Sequence, residues 1–295
     1  MTKIPPKVSI CVVTYNQQRY IRQCLQSILD QKVAFDFEVV VADDCSSDGT
    51  RDILREFATK YPEIIKLHLH EKNMGPYKNF VFVHRRAIGE YIAHVDGDDY
   101  CLPGKLQMQS DLLDREPECN IVWHKMTVED TNGVLRESGD GFAAGLKFYR
   151  KDILQFISIG ANSPKMYRSS VRDFDDPDFE VVDYFANVEQ VRDGYARLID
   201  NRSYGVYRAG IGISASGNKT RLILRDCFYF FAKKYPQYSS AINCAALTYF
   251  LGDFKNRRKS WPIFLRVWLR TFSFSATFGF ASHLKFVRRI NGDRF

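Results

Sequence analysis

An α/β chain built on a mostly parallel sheet, with helices on both faces and a helical appendage at the C-terminal end, is what three observations predict. Short β-branched runs alternate with amphipathic stretches of helical period from residue 8 to residue 128. Polar clusters recur at the ends of those runs, and beyond residue 216 the pattern changes to helices rich in Phe, Tyr and Arg. Alternation of this kind implies parallel strands joined by crossover helices. The 295 residues, 45% hydrophobic and 26% charged, are enough to bury a sizeable core.

The elements follow in order. "VSICVVTY" (8–15) is a buried strand because β-branched residues dominate a short run. Tyr20, Ile21, Cys24, Leu25 and Ile28 then recur at helical spacing. "FEVVVAD" (37–43) is a second strand, and Ser46, Ser47 and Asp48 are candidate N-caps for a helix carrying Ile53, Leu54, Phe57 and Ala58. "IIKLHLH" (64–70) alternates as a strand, and "NMGPYKNFVFVHRRAIGE" gives a turn and an amphipathic helix. "YIAHVD" (91–96) is the fourth strand, Pro103 stands at the start of the next helix, and "NIVWHKMTV" (120–128) is the fifth strand. Residues 131–175 are less regular, with Gly133, Gly139, Gly141 and Gly145 close together, and "GANSPKMYR" (160–168) reads equally as a connection or a substrate contact. "DDPDFEVVDYFANVEQVRDG" leads acidic residues into a helix, and "YGVYRAGIGISASGNKTR" is a short strand followed by a glycine-rich, basic loop. His94 and His124, inside strands, read as packed core residues.

In such a sheet ligands bind beyond the carboxyl ends of the strands. Thr14-Tyr15-Asn16, Asp43-Asp44, Glu71-Lys72-Asn73 and Asp96-Gly97-Asp98-Asp99 occupy four successive ends and should meet in one crevice. Three carboxylates within four positions suit a hard divalent cation, Mg²⁺ or Mn²⁺, which prefers oxygen ligands and would carry a nucleotide diphosphate. The bland alternatives are a cap for the helix near Pro103 and, for Asp43-Asp44, an ordinary turn. Neither GxGxxG nor GxxxxGK[ST] follows the first strand, which removes dinucleotide and P-loop readings.

"VSICVVTYNQQRYIRQCLQSIL", "FEVVVADDCSSDGT", "EKNMGPYKNF" and "GEYIAHVDGDDY" together resemble, in order and spacing, the family 2 glycosyltransferases, inverting enzymes of the GT-A fold found in bacterial surface-polysaccharide synthesis. The resemblance spans residues 7–215, which sets a catalytic domain of 1–215 and a helical region of 216–295. It implies that Thr14, Tyr15 and Asn16 line the nucleotide pocket and that Asp44, with Asp43, bonds the base. It also implies that Asn73 to Asn79 close over the nucleotide, with Lys78 where many members carry an arginine. Asp96 would face the ribose and donor sugar, and Asp98, helped by Asp99, would hold the metal. Inversion needs a base near the acceptor hydroxyl and neutralisation of the leaving diphosphate. Asp183 aligns with the family's acidic base, although Val182 replaces the usual glutamate before it, so Glu180 and Asp178 stand as alternatives and a helix-start charge as the bland reading. Tyr207-Arg208 resembles the family's C-terminal loop, with Arg208 as a diphosphate contact, and Ser163 falls on the acceptor side.

The donor carrier implied by the resemblance is uridine diphosphate, and the acceptor a glycan. The net charge of +7 is concentrated after residue 252, where ten Lys or Arg face two Asp, leaving the body near neutral. That argues against nucleic acid as a partner and for local contact with an anionic surface. In "RRKSWPIFLRVWLRTFSFSATFGFASHLKFVRRI", Arg266 and Arg270 interrupt the apolar run, which suits helices lying in a headgroup layer better than a span. The rival is an aromatic helix packed on the body or in a dimer. Seven scattered cysteines without a CxxC pair, and an N-terminus without signal-peptide layout, lead to the expectation of a cytoplasmic protein, peripheral on the inner membrane face, with a lipid-linked acceptor. A catalytically silent nucleotide- or glycan-binding module is the competing function. A nucleotidyltransferase is disfavoured because "TYNQQRY" has no glycine.

Overall fold

The computed structural model describes residues 5–137, 145–157, 160–174, 177–211 and 217–291. Gly139, Gly141 and most of the glycine-rich stretch after Gly210 lie outside the described residues.

Strands β1 (Val8–Thr14), β2 (Phe37–Asp43), β3 (Ile65–Leu69) and β4 (Tyr91–Asp96) alternate with helices α1 (Ile21–Leu29), α2 (Thr50–Lys60) and α3 (Pro76–Arg86). After β4 come the two-residue β5 (Tyr100–Cys101), α4 (Lys105–Arg115), β6 (Cys119–Glu129), β7 (Leu135–Glu137), β8 (Lys147–Phe148), α5 (Arg150–Gln155), β9 (Lys165–Arg168), α6 (Asp183–Gln190) and β10 (Tyr195–Arg208). Helices α7 (Gly217–Lys234), α8 (Ser239–Lys255), α9 (Trp261–Arg270) and α10 (Phe274–Asn291) close the chain. One sheet runs β3-β2-β1-β4-β9-β6-β10-β5, with β7 paired to β6 and β8 to β10. The pairs β1 with β2, β1 with β4, β2 with β3 and β6 with β10 are parallel.

Two parts of this sheet depart from the expectation. Residues 165–168, read as a connection or substrate contact, form β9, antiparallel to both β4 and β6. A four-residue strand that opens on a lysine shows too little apolar alternation to announce itself. The short strand expected near residue 204 is the end of the longer β10, whose register shifts between Leu198 and Ser203 conceal a single period.

The strand runs are apolar throughout because both faces are covered. Val8, Ile10, Val12, Val39 and Val41 pack with Ile21, Leu25, Leu54, Phe57 and Leu113 from α1, α2 and α4. The opposite face presents Cys11, Val40, Ala42, Ile92 and Ile121 to Val83 of α3 and to the layer formed by α5, α6 and the C-terminal helices. Phe185 of α6 stacks on Phe231 of α7 at 4.9 Å, and Tyr184 meets Phe228, so the sheet and the last helices share one apolar layer. At the far end, buried His283 of α10 bridges Gln155 of α5 (2.8 Å) and Thr248 of α8 (2.7 Å). No helix among the described residues is long and apolar enough to cross a membrane.

Helix starts also differ from expectation. The N-cap of α2 is Gly49; Asp48 instead accepts from the Thr50 amide at 3.0 Å, and Ser46 and Ser47 serve the preceding turn. Gly104, in the left-handed region at φ 90°, precedes α4, so neither Asp98 nor Asp99 caps that helix.

Candidate functional site

Register brings the predicted strand ends together. Thr14 pairs with Asp43 and Val13 with Asp96, so the parallel strands β2, β1 and β4 finish along one edge. Asn16 takes φ 53°, an αL conformation that asparagine tolerates better than most residues. Its Oδ1 accepts from the Ser47 amide (2.8 Å) and its own amide donates to Ser46 Oγ (2.8 Å), tying the loop after β1 to the loop after β2. Asp43 is fully buried and accepts from Arg51 Nε at 2.7 Å and from the Ser46 amide at 3.0 Å. Asp44 accepts from the Met74 and Gly75 amides at 2.6 and 2.9 Å, which fixes the loop before α3. Asn73 Oδ1 accepts from the Gly75 amide in the same loop. Thr14 is buried with its hydroxyl unpartnered, while Tyr15 is half-exposed and Lys78 exposed on α3. The two aspartates thus brace the loops at the strand ends, and Tyr15 and Lys78 are exposed beside them.

The strand ends at Asp96, and the Asp99 amide donates to the Asp96 carbonyl at 2.9 Å. Asp98 therefore belongs to a turn, and the alternation that would set Asp96 and Asp98 on one side stops short of it. Asp96 lies within range of a surrounding polar set. His94 Nε2 is 3.1 Å from Oδ1, Ser163 Oγ donates to Oδ2 at 3.0 Å, and the Asp96 amide donates back to Ser163 Oγ at 3.0 Å. Burial opposes its ionisation, yet His94, Ser163 and Lys105 together hold the carboxyl below its ordinary range. Asp98 is pushed up to about 6, and Asp99 to about 8, by burial first and by the charge of Asp96 second. Asp99 Oδ1 accepts from the Arg208 amide at 3.1 Å, and its Oδ2 is buried without a partner.

These residues fit a divalent cation. A crowded carboxylate set with an orphaned buried oxygen is electrostatically deficient, and positive charge would offset it. Among the described residues no group of three or more His, Cys, Asp or Glu side chains is placed to hold a metal ion. A cation here would therefore take most of its ligands from water and substrate phosphates, with one or two carboxylates from the protein. Arg208 is buried beneath this turn: Nη1 donates to the Asp98 carbonyl (2.5 Å), Nε to Glu129 (3.1 Å), and the guanidinium lies 4.9 Å from the rings of Tyr20 and Tyr100. Nη2 also donates to Gln23, so one guanidinium bond holds the turn and two tie Arg208 to β6 and α1.

Asp183 is the first residue of α6. Its Oδ1 accepts from Asn162 Nδ2 at 2.7 Å and its Oδ2 from the Asn162 amide at 3.1 Å. Burial, and then the neighbouring Asp96 charge, push its carboxyl up, while Lys165 pulls it down. Glu180 is exposed and paired with Lys219 at 2.7 Å, and Asp178 is exposed. Asp183 is thus the acidic candidate that shares an electrostatic environment with Asp96.

Sequence reading missed the residues that support these groups. Lys105 Nζ donates to the His94 carbonyl (3.1 Å) and to the Ser163 carbonyl (2.5 Å); Lys165 Nζ donates to Asn187 (3.2 Å) and Gln190 (3.3 Å). Both lysines are buried, and a buried lysine carries no sequence mark. His94 did carry one: it stands two residues before Asp96, on the same face of a strand.

Residues 9–173 match the family description "Glycosyl transferase family 2". Poly(ribitol-phosphate) beta-N-acetylglucosaminyltransferase TarS of Staphylococcus aureus is 26% identical over 292 residues, 95% of this chain and 46% of that protein. The uncharacterized protein Rv1520 of Mycobacterium tuberculosis is 41% identical over 122 residues, 41% of this chain and 35% of that protein. The chain thus spans between a third and a half of these relatives. Among solved structures, S. aureus TarS 1–349 in complex with UDP-GlcNAc matches with TM-score 0.69 at 19% identity, covering 97% of this chain and 90% of that one. The mannosyltransferase PcManGT of Pyrobaculum calidifontis, in complex with GDP-Man and Mn²⁺, matches with TM-score 0.59 at 18% identity, over 96% and 81% of the two chains. The ordered strand-end motifs, the α/β fold of the GT-A type and a family match over more than half its length place this chain in glycosyl transferase family 2.

Proposed function

We propose that this glycosyltransferase transfers a sugar, with inversion, from a nucleotide diphosphate donor to a hydroxyl of a glycan acceptor in surface-polysaccharide synthesis. The observation that carries this reading is that two adjacent residues hold two carboxylates, Asn162 binding Asp183 and Ser163 binding Asp96, with Asp98 and Asp99 in the turn that follows Asp96. A single displacement needs those two functions on opposite sides of the transferred sugar.

In this reading Thr14, Tyr15 and Asn16 form the nucleotide pocket, Asp43 and Asp44 set its walls, and Asn73 and Lys78 approach from α3. Asp96 holds the ribose and donor sugar. Asp98, with Asp99, would hold Mg²⁺ or Mn²⁺, which when bound supplies charge neutralisation at the leaving diphosphate. Asp183, held in place by both Asn162 donors, takes the proton of the attacking hydroxyl, and its raised pKa improves it as a base. Ser163 acts through Asp96, and Arg208 through the Asp98–Asp99 turn. Residues 1–215 make the catalytic domain, and 216–295 support it.

Uridine diphosphate is the default carrier, supported by the UDP-GlcNAc complex of TarS. A lipid-linked acceptor and a peripheral position on the cytoplasmic membrane are supported by Leu269, Phe272, Phe274 and Phe278. These are exposed on α9, on α10 and between them, in a region where Lys and Arg outnumber Asp ten to two.

The test is incubation of the wild type and Asp98→Ala with Mn²⁺ and a panel of nucleotide sugars, following both diphosphate release and donor binding. Metal-dependent release of one diphosphate by the wild type, lost in Asp98→Ala, is the expected result. Absence of donor binding in both proteins would remove the metal assignment and favour a silent binding module.

A further inference from the structure

Behind Asp96 the structure holds a row of buried polar side chains that the transfer reaction does not use. His94 Nε2 lies 3.1 Å from Asp96 Oδ1, His94 Nδ1 lies 2.8 Å from His84 Nε2, and His84 Nδ1 lies 2.6 Å from the Tyr167 hydroxyl. All three side chains are buried. Phe80 stacks on His84 at 3.9 Å and fixes its ring plane. Beyond the phenol stands Gln190, whose carbonyl accepts from the buried ammonium of Lys165 at 3.3 Å.

The direction of every bond in this row follows from one end. A carboxylate only accepts, so His94 must donate through Nε2. Its Nδ1, in a neutral ring, is then an acceptor, and His84 must donate to it through Nε2. His84 Nδ1 becomes the acceptor in turn, and the Tyr167 hydroxyl donates to it. Burial keeps the His84 ring neutral, because desolvation pushes it well below the ordinary histidine range. The dipoles therefore all point from the Lys165 side towards Asp96, an alignment that favours negative charge on that carboxylate.

We propose that Tyr167, His84 and His94 form a one-way hydrogen-bond relay that positions the Asp96 carboxylate for the donor. They are positioning residues: none reaches the crevice except through Asp96. The inference rests on the reading of Asp96 as a donor contact. Ser163 fixes one carboxylate oxygen and the relay fixes the other, so both rotational freedoms of the side chain are used up before the donor arrives. Losing one charge-assisted bond should weaken donor binding by about tenfold or more.

Two measurements on the full chain test this. Long-range ¹H–¹⁵N correlation spectra of the wild type at pH 7.5 should show His84 and His94 both neutral and both protonated at Nε2, assigned with Tyr167→Phe, which should shift the His84 Nδ1 signal. Either ring protonated at Nδ1, or doubly protonated, overturns the relay. Calorimetric binding of UDP with Mn²⁺ should weaken at least about tenfold in His94→Leu, while His94→Gln, whose amide can donate to Asp96, stays within about threefold. Unchanged affinity in a folded His94→Leu overturns the positioning role, as does equal loss in both variants. Asp96→Asn separates the two failures: wild-type affinity there removes the donor-site reading, while the tautomers still decide whether the relay exists.

Discussion

At the scale of single residues, the surroundings push the proton affinities of four carboxylates apart. Asp96 is held below the ordinary range by His94, Ser163 and Lys105 against the cost of its burial, whereas burial and the Asp96 charge raise Asp98, Asp99 and Asp183. Asp183→Asn should therefore lower turnover by about a thousandfold with UDP binding retained, since the amide keeps the shape but cannot take a proton. A base must be ionised to act, so a raised pKa moves the acid limb of the wild-type pH–rate profile above the usual carboxylate value of about 4. An acid limb at or below that value would contradict the assignment. The residues with formal charge at strand ends were legible in the sequence, because four motifs arrive in order and each ends a hydrophobic run. What Arg208 does was not: nothing in "YGVYRAG" tells that its donors turn inward to Glu129 and the Asp98 carbonyl. The inward turn is set by strand register, which depends on residues far away in the chain.

At the scale of elements, the first half was readable because each strand is short, β-branched and followed by an amphipathic helix. The second half hides β9 and the irregular β10, where burial of Lys165 and bulged pairing break the period. The joint between β2 and α2 shows how a site loop is held: Arg51 of α2 reaches the buried Asp43 at the end of β2 and also donates to the His70 carbonyl after β3. Arg51→Met should cost ~3 kcal/mol of stability in urea unfolding, because Asp43 is left as an uncompensated buried charge. Adding Asp43→Asn to it should recover most of that loss, and a double variant as unstable as the single one would show that packing, not charge, dominates.

At the scale of the whole molecule, the C-terminal helices have two unlike sides. Their inner faces close over α5 and α6, where His283 sits between Gln155, Thr248 and the stacked ring of Phe156. Burial lowers its pKa from 6.5 to about 4, so the folded protein binds fewer protons than the unfolded one between those values. Its contribution is complete above pH 6.5 and is lost as pH falls towards 4, by up to about 3 kcal/mol. His283→Gln should flatten that part of the stability–pH curve in thermal unfolding, and an unchanged slope would exclude His283 as its source. The outer faces carry Phe274 and Phe278, 75% and 86% exposed. Changing both to Ser should abolish flotation with anionic vesicles at physiological salt without lowering the melting temperature; vesicle binding that persists would turn attention to packing between copies. Strand β9 carries a different consequence, one of order in time. It is made after β4 and β6 but lies between them, so as the chain emerges from the ribosome those two strands have no common partner. The left side of the sheet can assemble early, while β4 keeps an open edge until residues 165–168 arrive. Birth of the crevice is thereby tied to the last strand needed to seat Lys165 and Tyr167, and a chain stalled before it exposes an edge that invites association.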